Sequence, residues 1–506
     1  MLIAIFVHLS KREPTPLSKA SHFIRDPQKR EPTSTRRKSS HLVQDIVSVT
    51  HVCRSWRRVA IATPELWTEI RMTKLEVVEV FLERSGAVPL IVDLPLHSGG
   101  QIDSDLLRTV VPHTYRFCQL SVLSHRGPLY IGSACFPKPA PLLVRLTIHH
   151  PMGNSPILLF GDQAPRIREL VIFSNGVWLQ NKLWRLTSLH VTLYKTGRTR
   201  SRLLPFFDML DRCPVLEEMF LSWGNWAVHP EPPQLPTVPL HRLRRLLLHS
   251  FYVENVKYLL RAFDLKTDGV AIHLNGVHPR HEGITTISDI QAMFSNDKPG
   301  QPSLVSSTKL ELIFHARPRT AIMHAIGPGF SIRVDLCLDE FISLSDVAEY
   351  IFYDTLPSVK DLLVRGSSRV DTKIGGIENL TALQKLVLIG RGSKMVRDFQ
   401  QALSPGPSGV LPCPLLSTID FQGDTSEMCE MFHLLRTRSS AGHQLGRVRV
   451  PSCFIPLPAD VASCVKDVGS LDIPLRKLHR YAMELPKFCF VGREHEWWRP
   501  WKSRLN

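Results

Sequence analysis

Gly390-Arg391-Gly392-Ser393-Lys394 has the residue types of a phosphate-handling loop, because glycines let a backbone wrap an anion and a following Lys can pair with it. It lacks the spacing of a P-loop and reads as a turn after the strand around Leu386. His278, His281 and Glu282 are donors a metal accepts, yet with Pro279 between them they fall in a loop. His149-His150 reads as the end of a strand. No G-x-S-x-G elbow, G-x-G-x-x-G fingerprint or H-E-x-x-H helix occurs anywhere in the chain. The expectation is a protein that is not an enzyme, with no catalytic residue, no metal and no cofactor.

The chemistry that remains is recognition, and its strongest candidate is the run from Val49 to Trp67. Val49, Val52, Cys53, Trp56, Val59 and Ala60 recur at helical spacing on one side, while Arg54, Arg57 and Arg58 fall on the other. That pattern predicts an amphipathic helix with a basic outer stripe. Thr63 is placed to accept a bond from a free backbone N–H, Pro64 suits a first helical position, and Glu65 suits the positive first turn. A second short helix carrying Leu66 and Trp67 is expected to start there.

The identities in this run, V-C-R-S-W-R-R-V-A followed by T-P-E-L-W, resemble the second half of an F-box. The resemblance implies binding to the Skp adaptor of a cullin-based ubiquitin ligase complex. Met1 to Leu9 stands where the family has the tail of its first helix, without the leading Leu-Pro and the acidic residue, as expected of a chain whose first helix begins upstream. The implied adaptor contacts are Ile5, Phe6, Val49, Val52, Cys53, Trp56, Val59, Leu66 and Trp67, some of which must also pack the module's own core. The module takes residues 1–73. Within it, residues 11–40 are rich in Lys, Arg, Ser, Thr and Pro and nearly empty of large apolar side chains, so they read as a disordered basic loop.

Composition bounds the alternatives. The short apolar stretch at Met1 has no basic residues before it and no cleavage site after it, and no segment reaches about eighteen uninterrupted apolar residues. A soluble protein of the cytoplasm or nucleus, without a membrane partner, is expected. The ten cysteines show no C-x-x-C pair and read as small buried hydrophobes in a reducing compartment. The formal charge of +16 raises a nucleic-acid-associated protein as a second alternative. Lys29, Arg30, Arg36, Arg37 and Lys38 cluster in the loop and suit a nuclear import address equally well.

From Leu75 the chain changes character. Leu75, Val78, Phe81 and Leu82 form a helical stripe, Gly86 suits its C-terminal cap, and Leu90 to Leu94 reads as a strand after Pro89. The segment E-R-S-G-A-V-P-L-I-V-D-L is similar to the stretch immediately after the F-box in F-box-like families of mushroom-forming fungi, where a leucine-rich region opens. A frame Leu-x-x-Leu-x-apolar then recurs at Leu143/Leu146/Ile148, Ile167/Leu170/Ile172, Leu186/Leu189/Val191, Leu216/Met219/Leu221 and Leu243/Leu246/Leu248. It returns at Val359/Leu362/Val364, Leu383/Leu386/Leu388 and Leu416/Ile419/Phe421.

A short strand cannot bury its apolar side alone, but stacked parallel copies share one core, so the frame predicts a solenoid. Its central positions step by about 24, 19, 30 and 27 residues from Leu146 to Leu246, which describes divergent repeats. Proline before several copies, as in Ala140-Pro141 and Cys413-Pro414, is expected to end the preceding segment. Stretches around 203–210 and 256–263 read as helices, and 309–314 and 331–336 as strands in a region where the frame fades. The tail carries Trp497, Trp498 and Trp501 among basic residues and reads as a cap on the last repeats.

The expected fold is α/β: an N-terminal helical module (1–73), a leucine-rich solenoid (74–450) with parallel strands on the concave face and helices on the convex face, and a C-terminal capping segment (451–506). The expected function is a substrate receptor that holds the Skp adaptor at one end and an unknown protein target on its repeats. The first alternative is a leucine-rich scaffold without ligase association.

Overall fold

The computed structural model describes residues 46, 48–71, 74–95, 104–123, 135–149, 157–174, 178–193, 204–223, 236–251, 253–265, 269–277, 306–315, 320–337, 356–366, 376–390, 395–406 and 410–472. Expectations for Ile5, Phe6, the 11–40 loop, His278, His281, Glu282, residues 391–394 and the C-terminal tryptophans lie outside them. The chain divides into two compact units, one ending at Leu221 and one starting at Ser222.

The first unit opens with helical turns at 48–52 and α1 (Arg54–Ile61). The single helix expected from Val49 to Ala60 is corrected here: Cys53 is extended (φ −161°) and caps α1 by accepting the Trp56 N–H at Sγ, 3.4 Å away. A 3-10 turn over Pro64–Trp67 comes next as expected, but Thr63 does not cap it. Its hydroxyl instead donates backwards to Val59 O at 2.7 Å. β1 (Glu69–Ile70), α2 (Leu75–Arg84), β2 (Leu90–Pro95), α3 (Ser104–Val110) and β3 (Phe117–Leu123) succeed it along the chain. Gly86 takes the left-handed conformation (φ 54°) just beyond α2, where a side chain would be strained. β4 (Arg145–His149), β5 (Glu169–Ser174), β6 (Ser188–Leu193), α4 (Leu204–Asp211) and the start of β7 (Glu218–Trp223) complete the unit. β1 to β6 pair in sequence order and all in parallel.

The frame residues stack. Val92, Leu120, Leu146, Leu170 and Leu189 occupy one aligned row, and Leu94, Val122, Ile148, Ile172 and Val191 the next, all buried. Each fully buried Leu or Ile contributes about 1.5–3 kcal/mol, so the row is the main source of cohesion. The recurring proline has a role beyond ending a segment. Leu143, Ile167 and Leu216 donate to the carbonyls of Ala140, Ala164 and Cys213, closing β-turns in which Pro141, Pro165 and Pro214 take the second position that their fixed φ suits. After the turn one carbonyl serves two donors of the next strand: Val144 O accepts Arg168 N and Glu169 N, and Thr187 O accepts Glu217 N and Glu218 N.

In the second unit β8 (Val238–Pro239) pairs with β10 (Phe263–Asp264) as a separate two-stranded ladder around β9 (Arg245–His249) and α5 (Val253–Ala262). β11 (Val270–Val277) pairs in parallel with β9. β12 (Lys309–His315), β13 (Thr320–Gly327) and β14 (Phe330–Cys337) then form an antiparallel meander whose outer strands pair in parallel with β15 (Asp361–Gly366) and with β11. β16 (Lys385–Ile389), α6 (Met395–Leu403), β17 (Thr418–Gln422), α7 (Thr425–Ser440), β18 (Leu445–Val450), α8 (Ala459–Ala462) and β19 (Val465–Ser470) continue a parallel ladder.

The sheets are therefore mostly parallel and solenoid-like, and the expectation of parallel strands throughout is corrected at the meander. Its cause is local: Gly327-Pro328-Gly329-Phe330 makes a tight reverse turn with Gly329 at φ 74°, and a Cβ on Gly327 would lie 2.2 Å from the Phe330 ring. Asp424 caps α7 through a reciprocal pair, accepting Glu427 N while its own N–H donates to the Glu427 carboxylate. Asp424→Ala is expected to cost about 1 kcal/mol, read as a lower urea midpoint with unchanged m-value.

Candidate docking surface

α1 is amphipathic in sequence but not buried in the way its stripe suggests. Only Ala60 is buried, Trp56 and Val59 are half-buried, and Cys53, Arg54, Arg57 and Arg58 are exposed. Val52 is 61% exposed and Ile61 43%, which leaves apolar side chains open to water at both ends of this stretch. Val49 is half-buried beside them. The Arg57 guanidinium donates to Thr50 O at 2.9 Å and so ties α1 to the turns before it.

Leu66 and Trp67 sit apart from this open group, inside the unit. The Trp67 indole N–H donates to Ala60 O at 2.9 Å, its ring meets Phe81 edge-on at 5.1 Å, and the Arg84 guanidinium lies 4.4 Å from its centroid. These contacts fasten α1 to α2. Of the residues singled out in sequence, Val49, Val52, Cys53, Trp56 and Val59 stay together on or near the open surface, while Leu66 and Trp67 anchor the module from within. Ile61 was missed; at 3.6 residues per turn it falls on the Arg54 and Arg57 side of α1, so the apolar stripe held no signal for it.

The sheet faces opposite the frame rows are more polar than the frame predicts. In the first unit His149, Phe173, His190 and Phe220 form a continuous ring row across β4 to β7, with centroid separations of 4.0, 5.6 and 4.1 Å. His149 thus ends its strand, as expected, and also begins this row. In the second unit β11, β14, β13 and β12 bring His273, Arg333, His324 and Glu311 into one cross-strand row. Arg365 donates to Glu311 at 2.9 Å, His324 lies 2.9 Å from Ser331 Oγ, and Arg333 makes two bonds to Asp335 at 2.7 and 3.2 Å. Burial pushes the His324 imidazole below its ordinary pKa. Burial alone would raise Asp335, but Arg333 and His273 outweigh it and hold the carboxyl far below the usual carboxylate range.

Among the described residues no three His, Cys, Asp or Glu converge as a metal site, and no helix is long and apolar enough to cross a membrane. Cys213, Cys413 and Cys464 are buried, and burial pushes the Cys213 thiol up to about 12. Cys53, Cys429 and Cys453 are exposed, which corrects the expectation that the cysteines act only as buried hydrophobes. No protein-family model and no curated protein matches the chain.

Proposed function

We propose that this protein is an F-box-like substrate receptor, in which the N-terminal helices hold the Skp adaptor of a cullin-based ubiquitin ligase and the leucine-rich solenoid holds a protein target. The observation that carries the reading is the exposed Val52 at the start of this stretch with the half-buried Trp56 and Val59 on α1, on a module pinned in place by Trp67. An apolar helix face laid into a partner's groove is a common docking mode. The strand faces opposite the frame rows would be the concave side, and the helices the convex side. The receptor performs no chemistry; it raises the local concentration of target near a ubiquitin-charged enzyme.

Co-purification of the full chain with the Skp adaptor tests this. Val52→Asp is expected to reduce adaptor capture by about tenfold with the circular dichroism spectrum unchanged, as removal of one interface anchor does. Failure of the unaltered chain to capture adaptor overturns the receptor reading. The second reading, a leucine-rich scaffold without ligase association, is favoured by the burial of Leu66 and Trp67, since helices fastened this way also serve to cap the first strands.

A further inference from the structure

Four consecutive turns lead into β3 to β6, each closed by a frame residue donating three positions back: Phe117 to Thr114, Leu143 to Ala140, Ile167 to Ala164 and Leu186 to Leu183. The second position of each turn projects from the edge where the strands start. Two of these positions hold Pro, which the turn prefers; the other two hold Tyr115 and Trp184, 54% and 63% exposed. Turn geometry asks for neither ring, and both leave apolar surface in water.

The charge around Trp184 is mainly basic: of the acids on this edge, Asp162 pairs with Lys182 and Glu169 with Arg145, and Glu217 stands one strand on, at the start of β7. Arg166, Arg168 and Arg185 flank it on the starts of β5 and β6, all exposed, and none makes an ion pair among the described residues. Lys182 lies 5.8 Å from the Trp184 ring and pairs with Asp162 at 3.6 Å, which leaves the three arginines as the unneutralised positive charge. Arg168 is held firmly, because its N–H donates to Val144 O and its carbonyl accepts from Thr187 and Ser188.

We propose that this edge binds an acidic segment of a partner protein, with Trp184 as the apolar anchor and Arg166, Arg168 and Arg185 pairing with the segment's carboxylates. Trp, Tyr and Arg are the side chains that carry most binding energy at protein interfaces, and guanidinium groups pair with carboxylates through two parallel bonds. A single nucleic-acid strand fits less well. Bases stack on successive aromatic platforms, whereas Tyr115 and Trp184 stand three strand steps apart, about 14 Å. The surface uses none of the residues assigned to adaptor docking and does not depend on that reading.

The test is fluorescence anisotropy of the full chain with a short labelled peptide of Glu, Leu and Gly, a Lys-for-Glu version of it, and a single-stranded thymidine oligonucleotide. The expected result is binding of the acidic peptide alone, weakening as salt rises, and lowered by about tenfold in Trp184→Ala and in the combined Arg166→Glu, Arg168→Glu, Arg185→Glu variant. Adaptor capture by the same variants is expected to be unchanged. Equal binding of the Lys peptide, binding insensitive to both variants, or tighter binding of the oligonucleotide through the same residues would each overturn the proposal. The Lys peptide probes charge without altering the protein, so the outcome stands even where the triple variant misfolds.

Discussion

Arg438→Ala is expected to destabilise the second unit by about 3–5 kcal/mol, because it strands the carbonyls of Leu403 and Pro412 and takes from Cys413 O one of its two donors, the other being the Leu416 N–H. Arg438 lies on α7 with no exposed surface, and its guanidinium donates to Leu403 O (3.2 Å), Pro412 O (2.9 Å) and Cys413 O (3.0 Å). Leu403 is the last residue of α6, so its carbonyl is among those a helix end leaves unpaired. A cation there also meets the negative end of the helix. Among the described residues no carboxylate is a hydrogen-bond partner of Arg438, and burial holds its pKa below the ordinary arginine value without removing the charge. Lys has no planar fork with which to span three acceptors, so Arg438→Lys is expected to recover little of the loss. Urea unfolding followed by hydrogen exchange of the α7 amides reads both effects, and a loss below about 1 kcal/mol would refute the assignment.

Arg116 repeats the device in the first unit. It is buried, and it donates to Val88 O at 2.9 Å and to Ser85 Oγ at 2.6 Å just past the end of α2. In each case an arginine from a later element gathers the polar groups that a helix terminus and its following loop leave behind. Neither is recognisable from its neighbours. Arg436, two residues before Arg438 on the same helix, is exposed and pairs with Asp460. What separates them is the position of carbonyls as many as 35 residues away, which no local pattern encodes.

The parallel ladders were more legible, because the frame is a packing rule written at fixed offsets. All eight copies read from sequence are strands whose central and third residues are buried. The same offsets also hold at Phe117/Leu120/Val122 and Leu445/Val448/Val450, which could have been read the same way. The strands at 309–314 and 331–336 were recognisable by their apolar alternation, but the meander joining them was not, since the run Ala321 to Ile326 gives no direction of pairing. The helical character of Val49 to Ala60 was legible as an amphipathic stripe, but its division at Cys53 was not. That Cys53 would cap it from within was not, because thiols rarely take that role. The open group around Val52 could not be separated from the anchored pair Leu66 and Trp67 by hydrophobicity, which both share.

Arg365→Ala is expected to carry a loss of comparable size, about 3–5 kcal/mol at neutral pH, because it leaves the buried Glu311 carboxylate without its guanidinium. Glu311 and Arg365 are both buried, and their bond is 2.9 Å long. His324 Nδ1, 3.6 Å from the other carboxylate oxygen, is too distant to replace it. Replacing both partners together, Glu311→Leu with Arg365→Met, is expected to recover most of the stability, since neither charge then remains buried alone. The same row makes the second unit acid-sensitive, and the sign is set by His324 and Asp335. Both groups have pKa values lower in the folded chain than in the unfolded one, so the unfolded chain binds protons first as pH falls. Stability from His324 is full above its unfolded value of 6.5 and declines below it, by at most about 1.4 kcal/mol per pH unit. Asp335 adds its own loss as pH falls below its unfolded value of 3.8. His273, Arg333, Glu311 and Arg365 are the charged or titratable groups around them, and the two arginines keep their charge throughout this range. Thermal unfolding scanned from pH 7 to 5 is expected to show a falling midpoint in the natural chain and a flatter one in His324→Gln, whose amide can still bond Ser331 but takes up no proton. An unchanged slope in that variant would place the acid sensitivity elsewhere.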